Sequence, residues 1–215
     1  MSDPEAGEES GPEAGTGTDS GRMQDAAVTA CTRCPKLVEG RSQIVNGVGA
    51  TDSDLCFVGE APGAQEDERG EPFVGRSGSI LDEVLEEVGL DREGVRITNC
   101  VRCRPPDNRD PHVDELANCA GWLAQELTAV DPELVVTLGK VPAQHLLDRD
   151  VAITSEAGSI VEVRIGERRQ SVLLCLHPAA TLYDRSKREP FRETIERAAE
   201  LVGAVDGGQV GLGEF

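Results

Sequence analysis

The chain has 215 residues, with 40 acidic against 21 basic side chains and a formal net charge of −19. That length holds one domain with a sizeable core and little more. The first 25 residues lack an apolar run and no stretch approaches the roughly 18 apolar residues of a membrane span, so a signal peptide and a membrane protein are excluded and a cytoplasmic protein is expected.

Such acidity ordinarily argues against a polyanionic partner. Here, however, Lys is scarce (Lys36, Lys140, Lys187), aromatics are few, and Asp and Glu run through the whole sequence, a pattern that resembles halophile proteins. In molar salt the Debye length is only about 3 Å, so net charge does not decide the partner and local Arg clusters carry the information.

In chain order, residues 1–25 are rich in Gly, Glu, Ser and Pro and read as a disordered acidic arm. A folded domain over 26–203 and a Gly-rich tail at 204–215 follow. Within the domain, LCFVG (55–59) predicts a buried strand. SGSILDEVLEEVG (77–89) predicts a helix, with Ile80, Leu81, Val84, Leu85 and Val88 at helical spacing. GVRITNCV (94–101) reads as a strand, HVDELANCAGWLAQEL (112–127) as a helix, ELVVTLG (133–139) as a strand, and the region of PAQHLL (142–147) as a helix. SIVEVRI (159–165) alternates like a half-exposed strand, and SVLLCL (171–176) reads as a buried one. PFRETIERAAELVG (190–203) closes the domain as a helix with Phe191, Ile195, Ala198 and Leu201 in a stripe. Alternation of strands and helices predicts an α/β fold, a three-layer αβα sandwich around a mainly parallel sheet, with ligands beyond the carboxyl ends of its strands.

The sequence has seven Cys, and in a reducing compartment their spacing points to metal or cluster ligation rather than disulfides. Cys31 and Cys34 form a C-x-x-C, Cys103 lies in a Pro-rich loop and Cys119 on a predicted helix. Four thiolates suit a structural zinc or an iron-sulfur cluster, and spacing alone does not separate them. Cys56, Cys100 and Cys175 sit in apolar runs and read as small buried hydrophobes.

Polar motifs follow three of the predicted strands. GEAPGAQEDERGEPFVGRSG (59–78) offers Glu60 and Glu66; TNCVRCRPPDNRDP (98–111) offers Asn99, Cys103, Asn108 and Arg109; LHPAATLYDRSKR (176–188) offers His177. Together with the C-x-x-C and Cys119, these residues resemble the family 4, iron-sulfur uracil-DNA glycosylases over roughly 28–200. The resemblance implies that Cys31, Cys34, Cys103 and Cys119 ligate a 4Fe-4S cluster of structural role. It also implies that the substrate is uracil in single- or double-stranded DNA, with base excision repair as the process.

It further implies that Asn99 pairs with the flipped base, its amide complementing uracil O4 and N3–H. Phe73 stacks on the ring, Ala61 joins the substrate set, and neutral His177 donates to uracil O2 as charge develops. Glu60 and Asn108 are the candidates for the water, with Glu66 supporting their loop, since the superfamily's usual aspartate has no counterpart in GEAPG. Arg76, Arg104, Arg109, Arg185, Lys187 and Arg188 are expected to meet the DNA backbone, and Leu182 or Tyr183 to wedge into the base stack. A family 5-like glycosylase of broader specificity and a non-catalytic iron-sulfur protein that binds DNA or a polymerase are the alternatives. A monomer is expected, and contact with a replication clamp or polymerase is left open.

Overall fold

A computed structural model describes residues 26–204. The arm expected at 1–25 and all but the first residue of the expected tail lie outside the described residues. A six-stranded sheet in the order β1-β3-β2-β4-β6-β5 forms the middle layer. Its strands are β1 (Val48–Gly49), β2 (Leu55–Gly59), β3 (Arg96–Asn99), β4 (Leu134–Leu138), β5 (Ile160–Ile165) and β6 (Arg168–Cys175). The four inner strands run parallel, and β1 and β5 pair antiparallel on the two edges. Around the sheet lie α1 (Pro35–Gly40), α2 (Ala64–Arg69), α3 (Arg76–Glu87), α4 (Val113–Val130), α5 (Lys140–Leu147), α6 (Ile153–Glu156), α7 (Ala180–Tyr183) and α8 (Arg188–Leu201).

Inner strands covered on both faces favour apolar residues on both, which is why β2, β4 and β6 read as near-continuous runs, whereas β3 buries Arg96, Thr98 and Asn99. Successive side chains then go to opposite layers. Leu55 and Phe57 of β2, Leu134, Val136 and Leu138 of β4, and Leu173 and Cys175 of β6 pack with Leu81, Val84 and Leu85 of α3 and Phe191, Ile195 and Ala198 of α8. Cys56, Val58, Val135, Val172 and Leu174 face the other way, onto Leu123 and Leu127 of α4 and Ala143 of α5. The expected three-layer sandwich is therefore present, and Cys56, Cys100 and Cys175 are fully buried thiols whose ionisation burial strongly opposes. Edge strand β5 alternates between half-buried and exposed positions, as its sequence indicated.

Two expectations are corrected. Leu201 leaves the stripe of α8 and is 49% exposed, because the helical period that buries Phe191, Ile195 and Ala198 turns Val202 rather than Leu201 onto the core. The strand expected over 94–101 shortens to Arg96–Asn99, since Cys100 and Val101 turn away to donate their amides to the carbonyls of Gly59 and Glu60.

The chain leaves β2 for β3 on one side, then crosses back over β2 to β4 on the other. This reversal opens a crevice at the carboxyl ends of the strands, where α/β sheets bind ligands. A smaller third cluster, with Leu37, Val101, Cys103 and Cys119 at its centre, sits beside that crevice.

Candidate active site

The loop leaving β2 turns back through Glu60, Ala61 and Gly63 into the short helix α2. The carboxylate of Glu66 shapes this turn: one oxygen accepts the Gly63 amide at 3.1 Å, and the other accepts those of Val74 and Gly75 at 3.0 and 2.9 Å. Three of its lone-pair positions are thus taken by backbone, so Glu66 braces the loop. Phe73 is delivered by this brace in a left-handed conformation, φ 53°, with its ring buried.

Two glycines make room for Phe73. A Cβ on Gly59 would lie 2.5 Å from its ring carbons and 2.4 Å from Asn99 Oδ1. A Cβ on Gly78 would lie 1.8 Å from its carbonyl oxygen. Neither role is marked in the sequence, where the only signal at Gly78 is a glycine inside a helix period.

Asn99 ends β3 and is 2% exposed. Its side-chain amide has no hydrogen-bond partner among the described residues, and it lines a cavity with Glu60, Ala61, Gly63, Glu66, Phe73, Ser77 and His177. The cavity measures about 180 Å³. Ser77 was missed: nothing in its local sequence distinguishes it from a helix-start serine.

His177 follows β6, and its ring centroid lies 6.1 Å from that of Phe73 at a tilt of 34°. Burial pushes its pKa down to about 4, so the imidazole is neutral. Its Nδ1 accepts the Ala179 amide at 3.1 Å, which leaves the single ring proton on Nε2 as the free donor. Across the cavity, burial, followed by the charge of Asp110, pushes Glu60 up to about 7.

Asn108 is not brought to this cavity. It sits exposed on a 3-10 turn at φ 53°, and its Oδ1 accepts from Arg104 Nε at 2.7 Å. The Pro-rich loop carries it outward, away from the residues it was expected to join.

The six expected DNA-contacting cations also divide. Arg109 is committed to Glu115 through two bonds of 2.8 and 2.7 Å at the start of α4, and Arg188 to Glu83 and Glu87 of α3. Lys187 lies 3.9 Å from Asp184. Arg76 and Arg185 are exposed and have no carboxylate partner among the described residues. Leu182 and Tyr183, on α7, are also exposed, Tyr183 at 91%.

Beside the cavity, the four candidate thiols come from three segments into one region. Cys103 Sγ accepts from Arg41 Nη1 at 2.8 Å, Cys34 Sγ from Asn118 Nδ2 at 3.5 Å, and Cys119 from the backbone amide of Arg102. Burial pushes the Cys103 and Cys119 thiols up; Arg41 draws the first down and Arg102 the second, and both feel Cys34. Among the described residues no three His, Cys, Asp or Glu side chains converge on one metal-ion position. Asp67, at 3% exposure, joins this region to the cavity by accepting the Ser42 amide at 2.9 Å from the far side of α2.

Behind β3 lies a buried ion cluster that sequence reading did not anticipate. Glu126 accepts from Arg96 Nε at 2.8 Å and from Arg102, while Arg102 also reaches Thr98. Burial alone would raise the Glu126 carboxyl, but Arg102 and Arg96 together hold it below the usual range.

The family model of the uracil DNA glycosylase superfamily matches residues 46–199. The type-4 uracil-DNA glycosylase of Archaeoglobus fulgidus is 39% identical over 180 residues, which is 82% of this chain and 90% of its own length. That of Thermotoga maritima is 39% identical over 178 residues, 81% of this chain and 91% of its own. A type-5 uracil-DNA glycosylase of Pyrobaculum aerophilum is 30% identical over 207 residues, 81% of this chain and 90% of its own length. These relatives do not bear out the halophile reading of the acidic composition. With its reversed parallel sheet and its matched span across β2 to α8, the chain belongs to the uracil DNA glycosylase superfamily.

Proposed function

We propose that this protein is a monofunctional uracil-DNA glycosylase that hydrolyses the N-glycosidic bond of a uracil flipped from DNA and starts base excision repair. The observation that carries this reading is the unpartnered amide of Asn99 in a cavity between Phe73 and the neutral imidazole of His177. Uracil offers an acceptor at O4 and a donor at N3, which an Asn amide satisfies in one pairing, and burial makes an unmatched base costly there.

Phe73 holds the ring, and His177 Nε2–H donates to O2, where negative charge gathers as the glycosidic bond breaks. Glu60 is placed to hold the attacking water; its raised pKa suits a carboxylate that takes up a proton near neutral pH. Glu66 positions the loop, and Ala61 leaves the cavity floor open. Arg76 and Arg185 are the cations free to meet phosphates, with Arg104 and Lys187 beside them, and Tyr183 is the better exposed of the two candidate wedges. The working unit on this reading is the 26–203 domain, acting as a monomer in the cytoplasm.

Cys31, Cys34, Cys103 and Cys119 would hold a 4Fe-4S cluster. N–H donors onto three of these sulfurs suit thiolates, and a buried Trp122 Nε1 with no partner packs against the same region. Once bound, the cluster would cross-link three chain segments behind the catalytic loops.

Incubation with a uracil-containing oligonucleotide at low and at molar KCl, followed by alkali, tests the activity. Strand cleavage at uracil alone is the expected result; a labelled strand left intact at both salts, with the protein bound to it, would support the non-catalytic alternative.

A further inference from the structure

Arg41 stands at the end of α1, where its backbone amide donates to the Leu37 carbonyl. The guanidinium makes two contacts: Nη1 to Cys103 Sγ and Nη2 to the Cys31 carbonyl, both at 2.8 Å. It has no carboxylate partner among the described residues, although the sequence carries 40 acidic side chains. The next residue is fixed as well, since the Ser42 amide is held by buried Asp67. A planar fork that ties one candidate ligand's sulfur to another's backbone, and that is anchored on both sides, is pre-organised in a way a lysine is not.

The charge around these thiols leans the same way. Arg96, Arg102 and Glu126 are all buried and give two cations to one carboxylate, so that cluster carries a surplus positive charge. Arg102 brings it next to Cys119, its own Nε being buried without a partner. Four thiolates outweigh the charge of an iron-sulfur core and leave a net anion. Cations and N–H donors directed at ligand sulfurs then stabilise the more electron-rich state and raise the reduction potential.

We infer that Arg41 is a positioning residue for the iron-sulfur site, clamping Cys103 to the Cys31–Cys34 segment and setting the potential of the cluster through its bond to Cys103 Sγ. This rests on the cluster reading given above. Arg41→Met keeps the apolar stem but removes charge and donors; Arg41→Lys keeps the charge but cannot serve both acceptors. The anaerobically purified full chain and both variants are assayed for iron and acid-labile sulfide, and for midpoint potential by optical redox titration.

Iron and sulfide in equal amounts in the unaltered protein, a lower potential in Arg41→Met, and an intermediate one in Arg41→Lys are expected. Equal potentials in all three proteins would overturn the role of Arg41 while leaving the cluster in place. If Arg41→Met fails to retain iron, the Lys variant decides, a potential equal to that of the unaltered protein refuting the inference and a lower one supporting it. Absence of iron from the unaltered protein would instead overturn the cluster reading itself, and with it this inference.

Discussion

His177 and Glu60 face the same small cavity, and burial moves both toward their neutral forms. For His177 this means an imidazole that stays uncharged throughout the working range, its pKa having been pushed down to about 4. A neutral donor strengthens as the uracil anion forms, without attracting the ground state electrostatically. His177→Leu is expected to slow single-turnover excision roughly 100- to 1000-fold, the usual cost of one such donor, with little change in DNA affinity measured by anisotropy.

Glu60, near 7, should make the rate rise with pH through neutrality, and Glu60→Gln should flatten that profile. Stability moves oppositely. Because the folded value lies above the ordinary 4.5, the folded protein keeps between about pH 4.5 and 7 a proton that the unfolded chain has lost. Stability therefore falls as pH rises through that window, and Glu60→Gln should raise Tm at pH 8 but hardly at pH 4. Asn99→Asp exchanges the donor of the amide for an acceptor. Uracil-over-cytosine discrimination should shrink by roughly 1–3 kcal/mol, the worth of one bidentate base contact, as read from the ratio of single-turnover rates.

At the scale of elements, the placement of Phe73 depends on α3, the helix that follows it. Gly→Ala inside a helix ordinarily stabilises by roughly 0.5–1 kcal/mol, but at Gly78 the new methyl would meet the Phe73 carbonyl. The sign should reverse, with a loss of about 1–3 kcal/mol from overpacking in urea denaturation and a weaker grip on substrate. The Arg96–Glu126–Arg102 cluster ties α4 to β3, the strand that ends in Asn99. Glu126→Gln strands two buried guanidinium groups and should cost about 3–5 kcal/mol, visible as a lower urea midpoint.

Which of these elements the sequence disclosed follows from their burial. The inner strands β2, β4 and β6 and the helices α3, α4 and α8 were legible because each must show an apolar run or stripe to be covered. The two-residue β1 and the short helices α1, α6 and α7 fall below the length at which any period can be counted. Glu126, Arg96 and Arg102 gave no signal in the sequence because pattern reading assigns charges outward, and only the fold shows that two guanidinium groups share one carboxylate in the interior. The outward placement of Asn108 was hidden for a related reason: its motif marks a loop, but not the side of the loop on which each side chain emerges.

For the whole molecule, residues of GEAPG, PFVG and HPA line one cavity with Asn99 because the segments that follow β2, β3 and β6 meet at the carboxyl end of one sheet. The acidic composition carried far less, since a net charge of −19 says nothing about where Arg76 and Arg185 stand exposed. The four thiols were legible as a group, but Arg41 and Trp122 around them were not, because residues that support ligands have no spacing of their own. The account as a whole depends on one reaction at one base.

Its most direct test is a single-turnover reaction on an oligonucleotide carrying one uracil among ordinary bases, with the released product identified by mass spectrometry. The expected products are free uracil and a full-length strand that breaks at the uracil position only after alkali. A strand that retains its uracil, or one from which a nucleoside or nucleotide is released instead, would contradict the account.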